Sequence, residues 1–432
     1  MRRVLLLAAI AGAAFLAAAP PSASAAPSPL TLPGGGSASS VVEDADGTVH
    51  LVQSPLKGDA LDEVTIAPEG TRTVAPIYEE IPNGTGFPDD TIDARIFPGG
   101  NALVAFVDRS AARPRVVVRL RTGGVWSDLP LSSLSRDGEL AGVDSSASGA
   151  AAISYRERRG RSWLAKVALL PVGASQFLPA VTVPSWSNLF ERGYAVRYNA
   201  LGDGVLVMGG GSSNAARPAA AVARVSRDGH VGPVIPLRAG RGYGAAEAEV
   251  CDDGTIVTAW DTVRARHKTV ISETSIAPGA TSPGPITRLG GGAQKLVVGC
   301  SAGQAAILTS SISGKPDAGR EVMRVYAAPI GRPPTLRRTL RAGMPVKVSF
   351  IAQPGGALDL VWEAWFGSGG QAAYLLRGRP DGWGGTPERI ATTAGELGID
   401  ALAARPVGGL IAAISHDTLA GEQALQLVRT DP

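Results

Sequence analysis

Cysteine and histidine are scarce here, with two of the first and four of the second in 432 residues. His50, His230, His267 and His416 fall at unrelated places along the chain. Neither a three-histidine metal site nor a Ser-His-Asp triad is supported by that scatter. Ser415-His416-Asp417 is contiguous, but a triad needs side chains brought together from separate elements. No Gly-rich run lies between a strand-like and a helix-like segment, so phosphate-loop readings fail on context. Charge of one sign is also lacking: 41 Lys+Arg against 38 Asp+Glu leave a net +3, too little to argue for nucleic acid. Aromatic residues make up 5% and are not interleaved with basic ones, as base stacking would require. Past the N-terminal segment no run is long and apolar enough to span a membrane. The expectation is therefore no metal, no cofactor, no nucleic-acid partner and no membrane span in the mature chain.

What the N-terminus does hold reads as a leader. Arg2 and Arg3 precede an apolar run from Val4 to Ala19, and Ala23-Ser24-Ala25 follows as an A-x-A cleavage site. That layout reads as a secretory signal peptide over residues 1–25. A membrane anchor is the competing reading, but the run is short and small residues and prolines follow it directly. The mature chain, residues 26–432, is thus expected to be secreted and monomeric. With 55 Gly, 32 Pro and 44% hydrophobic residues, it should hold many short strands and turns around a packed core.

The stretch Glu247 to Trp260 shows how. An alternating run leads to Asp252-Asp253-Gly254, and a run rich in β-branched residues follows. Gly accepts the positive φ such a turn needs, so this reads as a β-hairpin. Taking the last Gly of each turn as anchor, hairpins recur at Gly47, Gly100, Gly149, Gly204, Gly254, Gly303, Gly356 and Gly409. Successive spacings are 53, 49, 55, 50, 49, 53 and 53, and each unit has room for two more strands. Eight such units make a repeat array, and four antiparallel strands per unit of this length predict an eight-bladed β-propeller. A linear solenoid is the alternative, but it would need polar caps at both ends. The last unit lacks a fourth strand, and Ser28 to Val42 resembles the segment Gly284 to Val298. Leu30 to Leu32 is therefore expected to complete blade eight.

In these respects the chain resembles secreted bacterial β-propeller repeat proteins, over its whole mature length. The resemblance is to an architecture and implies no particular activity. The Gly-His…Trp-Asp signature of WD40 blades is absent. The sialidase-type Asp-box is only echoed in CDDGTIVTAW, where the Trp is too distant. Phe106, Tyr155, Trp260 and Trp362 all fall six residues after their turn Gly, inside a second strand, and are expected to pack between blades. Cys251 and Cys300 each lie three residues before a turn Gly in consecutive units. Export and equivalent positions favour a disulfide between blades five and six. Two buried thiols remain the alternative, if the inner strands lie too far apart.

Charge then picks out one arc. At the positions five and seven before the turn Gly stand Arg95 and Asp93, then Asp144 and Gly142, Asn199 and Arg197, and Glu249 and Glu247, in blades two to five. The other four blades carry only apolar or small residues there, such as Val298, Ile351 and Ala404. On innermost strands these side chains should converge at the channel mouth, as a ligand site or as pairs holding blades together. Basic residues also collect in the loops between second and third strands, among them Arg113, Arg158, Arg159, Arg264 and Arg266. They are expected on the same face as the charged arc, as a rim for an anionic extracellular polymer or protein. The function expected is an exported binding or scaffold protein. The alternative is a glycosidase or polysaccharide lyase using the channel carboxylates.

Overall fold

In a computed structural model of the protein, the described residues are 29–32, 36–54, 60–78, 92–97, 101–108, 114–131, 138–160, 162–183, 194–209, 218–239, 245–263, 269–291, 295–312, 321–366, 370–378, 382–417 and 423–432. The expected leader, 1–25, lies outside them. They form eight antiparallel sheets of four strands, and no helix. Each sheet contributes one inner strand: Ser37–Glu43, Ile92–Ile96, Gly138–Ser145, Tyr194–Tyr198, Ala246–Val250, Leu296–Ser301, Met344–Ala352 and Leu397–Ala404. Each inner strand touches the next, and the eighth touches the first. The chain is therefore an eight-bladed β-propeller. Leu30–Leu32 lies antiparallel to Gln423–Arg429 as the outer strand of the last sheet, with Leu30 opposite Leu427.

Second strands show why the blades pack. A strand covered on both faces reads as a continuous apolar run rather than an alternating one. Ala102–Asp108 and Gly204–Gly209 are buried at every residue. Eight apolar clusters result, one in each gap between neighbouring blades. Phe106, Tyr155, Trp260 and Trp362 are all buried in these gaps. Each contributes on the order of 2–3 kcal/mol by leaving water.

Cys251 and Cys300 are bonded as a disulfide, with Cα atoms 5.4 Å apart. The inner strands of blades five and six are thus close enough for the bridge. Cys251 also begins the turn of blade five: its N–H donates to Thr255 O at 2.8 Å, and Gly254 N–H donates back to Cys251 O at 2.9 Å. Gly254 has φ +81°, where a Cβ would be strained.

A polar row inside the channel

Hydrogen bonds at the turns give a register independent of glycine counting. Phe97, Ser146, Asn199 and Cys251 each donate an N–H across the turn, to Asn101, Ala150, Asp203 and Thr255. They are therefore equivalent. Two residues before them stand Arg95, Asp144, Arg197 and Glu249. Positive and negative side chains alternate along four successive inner strands. Two residues earlier again stand Asp93, Gly142, Ala195 and Glu247.

This register moves one expected site residue. In blade four the turn Gly is Gly202, at φ +92°, with its N–H on Asn199 O at 3.2 Å. Gly204 already pairs with Tyr198 in the strands. Counting from Gly204 slips this blade by two residues, and Asn199 belongs to the turn. Its Oδ1 accepts from Leu201 N and Asp203 N, both at 3.0 Å, and its Nδ2 donates to Cys251 O at 3.0 Å. The structure does not bring Asn199 into the row. Arg197 takes that place.

The row is close but loosely joined. Arg95 Nε stands 3.8 Å from Asp144 Oδ1, Asp144 Oδ2 is 3.9 Å from Arg197 Nη1, and Arg197 Nε is 3.9 Å from Glu249 Oε1. These gaps exceed hydrogen-bond length. Asp93, in contrast, is held tightly: Oδ1 accepts from Arg95 Nη1 at 2.6 Å, and Oδ2 accepts from Val143 N of the next blade at 2.7 Å. Arg95 Nη1 also donates to Ala94 O at 2.7 Å. Side chains in the row are between 18 and 35% exposed. They are enclosed by protein yet reached by solvent, as a channel lining would be.

Two further polar residues extend the row, and glycine counting misses both. Lys347 of blade seven donates from Nζ to Ile399 O at 2.6 Å and Asp400 O at 3.1 Å in blade eight. Asp400 Oδ2 accepts from Ala38 N of blade one at 3.0 Å, and Ser40 Oγ there accepts from Ile96 N of blade two at 3.2 Å. Pairing is irregular between Pro345 and Val348, and again between Ile399 and Ala401. Such bulges change which side chains face the axis, so a fixed offset from the turn overlooks them. A polar line therefore runs from blade seven through blades eight and one to blade five.

Enclosure dominates its electrostatics. Burial pushes Glu249 up to about 8, with the charges of Asp144 and Glu247 adding and Arg197 opposing. Burial also raises Glu247 and Asp144 above the ordinary carboxyl range, against the pull of Arg197. Burial lowers Lys347, although Asp400 and Glu363 oppose it. At the centre of the row, burial disfavours the Arg197 cation, but Asp144, Glu249 and Glu247 outweigh it and raise its proton affinity. Among the described residues of these inner strands in blades two to five, Arg95 and Arg197 are the cations set against Asp93, Asp144, Glu247 and Glu249, while Glu139 at the far end of its strand pairs with Arg156. Among the described residues no three of His, Cys, Asp and Glu are grouped as metal ligands.

Of the basic rim, only the arginines of blade three can be placed, and they stand elsewhere. Arg113, Arg264 and Arg266 lie outside the described residues. Arg158 and Arg159 end the second strand of blade three and are exposed. In that blade Glu157 pairs with Gly138, whereas Asp144 pairs with Ala152 near the turn. At about 3.4 Å per residue, roughly 20 Å separates the two ends. The arginine loop and the charged row therefore do not share one mouth, because the row sits two residues from the turns.

Fold and row together define a β-propeller with a line of polar side chains along its inner strands. No family model matches the chain, and no curated protein does. Solved structures similar to it are remote. A structure from a study of two prolyl endopeptidases is 12% identical, with TM-score 0.47, covering 92% of this chain and 55% of its own. The chain thus spans about half the length of that protein. The polysaccharide lyase Uly1 is 11% identical, with TM-score 0.44, covering 91% and 90%. The β-propeller domain of the Trilobed protease from Pyrococcus furiosus is 8% identical, with TM-score 0.44, covering 83% and 98%. Likeness at this level carries no activity across.

Proposed function

We propose that this chain is an exported binding propeller whose channel row takes a small polar ligand bearing charges of both signs. The observation that supports this reading is the state of Arg197. Its guanidinium has five N–H donors. It stands 3.9 Å from both Asp144 and Glu249, and among the described residues it makes no hydrogen bond. Side chains that served only to pin blades together would be drawn into contact, as Asp93 is with Val143 N of the next blade. A ligand with an acidic group for Arg197 and donors for Glu247 and Glu249 would fill the unmet capacity. The Cys251–Cys300 disulfide fits a protein that works outside the cytoplasm, where such bonds persist.

The glycosidase or lyase reading is weaker on chemistry. Acid–base cleavage needs one carboxyl protonated and a second ionised, with substrate between them. Glu249 has the raised proton affinity of an acid. However, Arg197 lies between Glu249 and Asp144, and the neighbouring carboxyls Asp144 and Glu247 are raised as well.

The test is an array of zwitterionic small molecules and neutral and charged oligosaccharides, read as a rise in melting temperature of the mature protein. A ligand that binds the folded chain and not the unfolded one stabilises the fold by mass action. Arg197→Ala should abolish the shift, and Arg197→Lys should reduce it. An array without hits, or a hit unaffected by Arg197→Ala, removes this reading.

A further inference from the structure

The arginines of blade three stand beside an aromatic ring that is left open. The second strand, Ala151–Arg159, and the third, Ser162–Leu170, meet in a hairpin at the end remote from the row. Arg158 is opposite Trp163, and Arg156 is opposite Ala165. Opposed residues of an antiparallel pair share a face, as do alternate residues of one strand. Arg156, Arg158 and Trp163 are therefore on one face. The guanidinium carbon of Arg156 lies 5.7 Å from the Trp163 ring centroid, a cation–π contact. Glu139, opposite Arg156 on the inner strand, forms an ion pair with it and holds it in place.

Lower on this face, Ala165 and Val167 pack with Tyr194 and Val196 of blade four. Trp163 begins where that packing stops and is 38% exposed. Leaving an indole in water forfeits the free energy of burying it, whereas Trp260 and Trp362 are buried between blades. Arg156 and Arg158 share the face of Trp163, and Arg159 follows at the strand end on the other face. The surface thus joins a flat apolar ring to the exposed guanidinium of Arg158, with that of Arg159 beside it at the tip.

We propose that this hairpin tip docks an anionic polysaccharide whose sugar rings carry carboxylates. The indole takes the C–H face of one sugar ring, Arg158 on the same face takes a carboxylate by two-pronged hydrogen bonds, and Arg159 reaches the chain round the hairpin tip. A single exposed indole suits one ring of a sugar chain; single-stranded nucleic acid uses several stacking residues in succession. This docking surface is separate from the channel row, roughly 20 Å away by strand rise.

The test uses the full mature chain with alginate oligomers as probe, neutral dextran oligomers as control and oligo-dT as the competing class. Binding is followed by calorimetry and tryptophan fluorescence at low and near-physiological salt. Alginate should bind and dextran should not. Trp163→Ala should weaken binding by about tenfold, the loss of one aromatic stack, and Trp163→Phe should recover most of it. Arg158→Ala/Arg159→Ala should weaken binding and flatten its salt dependence. Arg197→Ala should leave it unchanged, which separates this surface from the channel. Melting temperatures equal to the parent's show that the variants fold, and the Phe variant carries the test where the Ala variant melts early. No alginate binding, alginate binding unaffected by both Trp163→Ala and the double arginine variant, or a preference for oligo-dT over alginate overturns the proposal. So does loss of alginate binding in Arg197→Ala.

Discussion

Glu43 accepts two hydrogen bonds from the guanidinium of Arg405, a residue 362 positions later in the chain: Oε2 from Nε at 3.1 Å and Oε1 from Nη2 at 3.2 Å. Arg429 Nε adds a third, to Oε2 at 3.0 Å. Glu43 ends the inner strand of blade one, and both arginines belong to blade eight. Its side chain is only 6% exposed. The first and last blades are thus tied by a charge-assisted, two-pronged contact.

Removing that carboxylate leaves two guanidiniums without their shared anion. Breaking a buried pair from one side costs about 3–5 kcal/mol. Glu43→Ala is therefore expected to lower the denaturant midpoint markedly, and Glu43→Gln by less. Equilibrium unfolding checks this, and a Glu43→Ala protein as stable as the parent would show that the contact is ornamental.

The disulfide makes a second stability claim. Cys251 and Cys300 enclose a loop with a sequence separation of 49. Constraint of the unfolded chain over such a loop is worth about 2–4 kcal/mol. Cys251→Ser/Cys300→Ser should unfold at lower denaturant, and a reductant should destabilise the parent while leaving the double variant unchanged. Equal midpoints with and without reductant would refute a stabilising bond.

Asn199 separates a turn residue from a ligand residue. Its amide makes the hydrogen bonds to Leu201, Asp203 and Cys251 that hold the blade-four turn. Asn199→Ala should cost about 1–3 kcal/mol in unfolding free energy, the penalty for buried partners left unpaired. Binding of any channel ligand, measured below the unfolding transition, should be unchanged. A stable Asn199→Ala protein that no longer binds would put Asn199 back into the site.

Much of this architecture is legible in the chain because the repeat is marked locally. A turn that demands positive φ selects Gly, and a strand buried on both faces selects residues such as Phe106 and Trp260. Both marks recur at a countable spacing. The row is less legible. Arg95, Asp144 and Glu249 are found by counting back from their turns, but Gly204 misdirects the count in blade four because a second Gly follows the true turn Gly. Lys347 and Asp400 stay hidden for a different reason. They lie at bulges, and a bulge leaves no residue type that announces it. Trp163 shows no periodic signal at all.

The last expectation concerns pH. Glu249 has an ordinary glutamate value near 4.5 when unfolded and is pushed up to about 8 when folded, chiefly by burial. Between these values the folded chain holds the proton and the unfolded chain does not. Stability therefore falls as pH rises through that window. Glu273, also raised by burial, to about 7, acts with the same sign. Unfolding free energy measured from about pH 5 to about pH 9 should decline for the parent. In Glu249→Gln, which carries no ionisable carboxyl at this position, the decline should be shallower and the protein relatively more stable at the alkaline end. Parallel pH profiles for the two proteins would mean that Glu249 titrates normally, in a site far more open to water than its 28% side-chain exposure indicates.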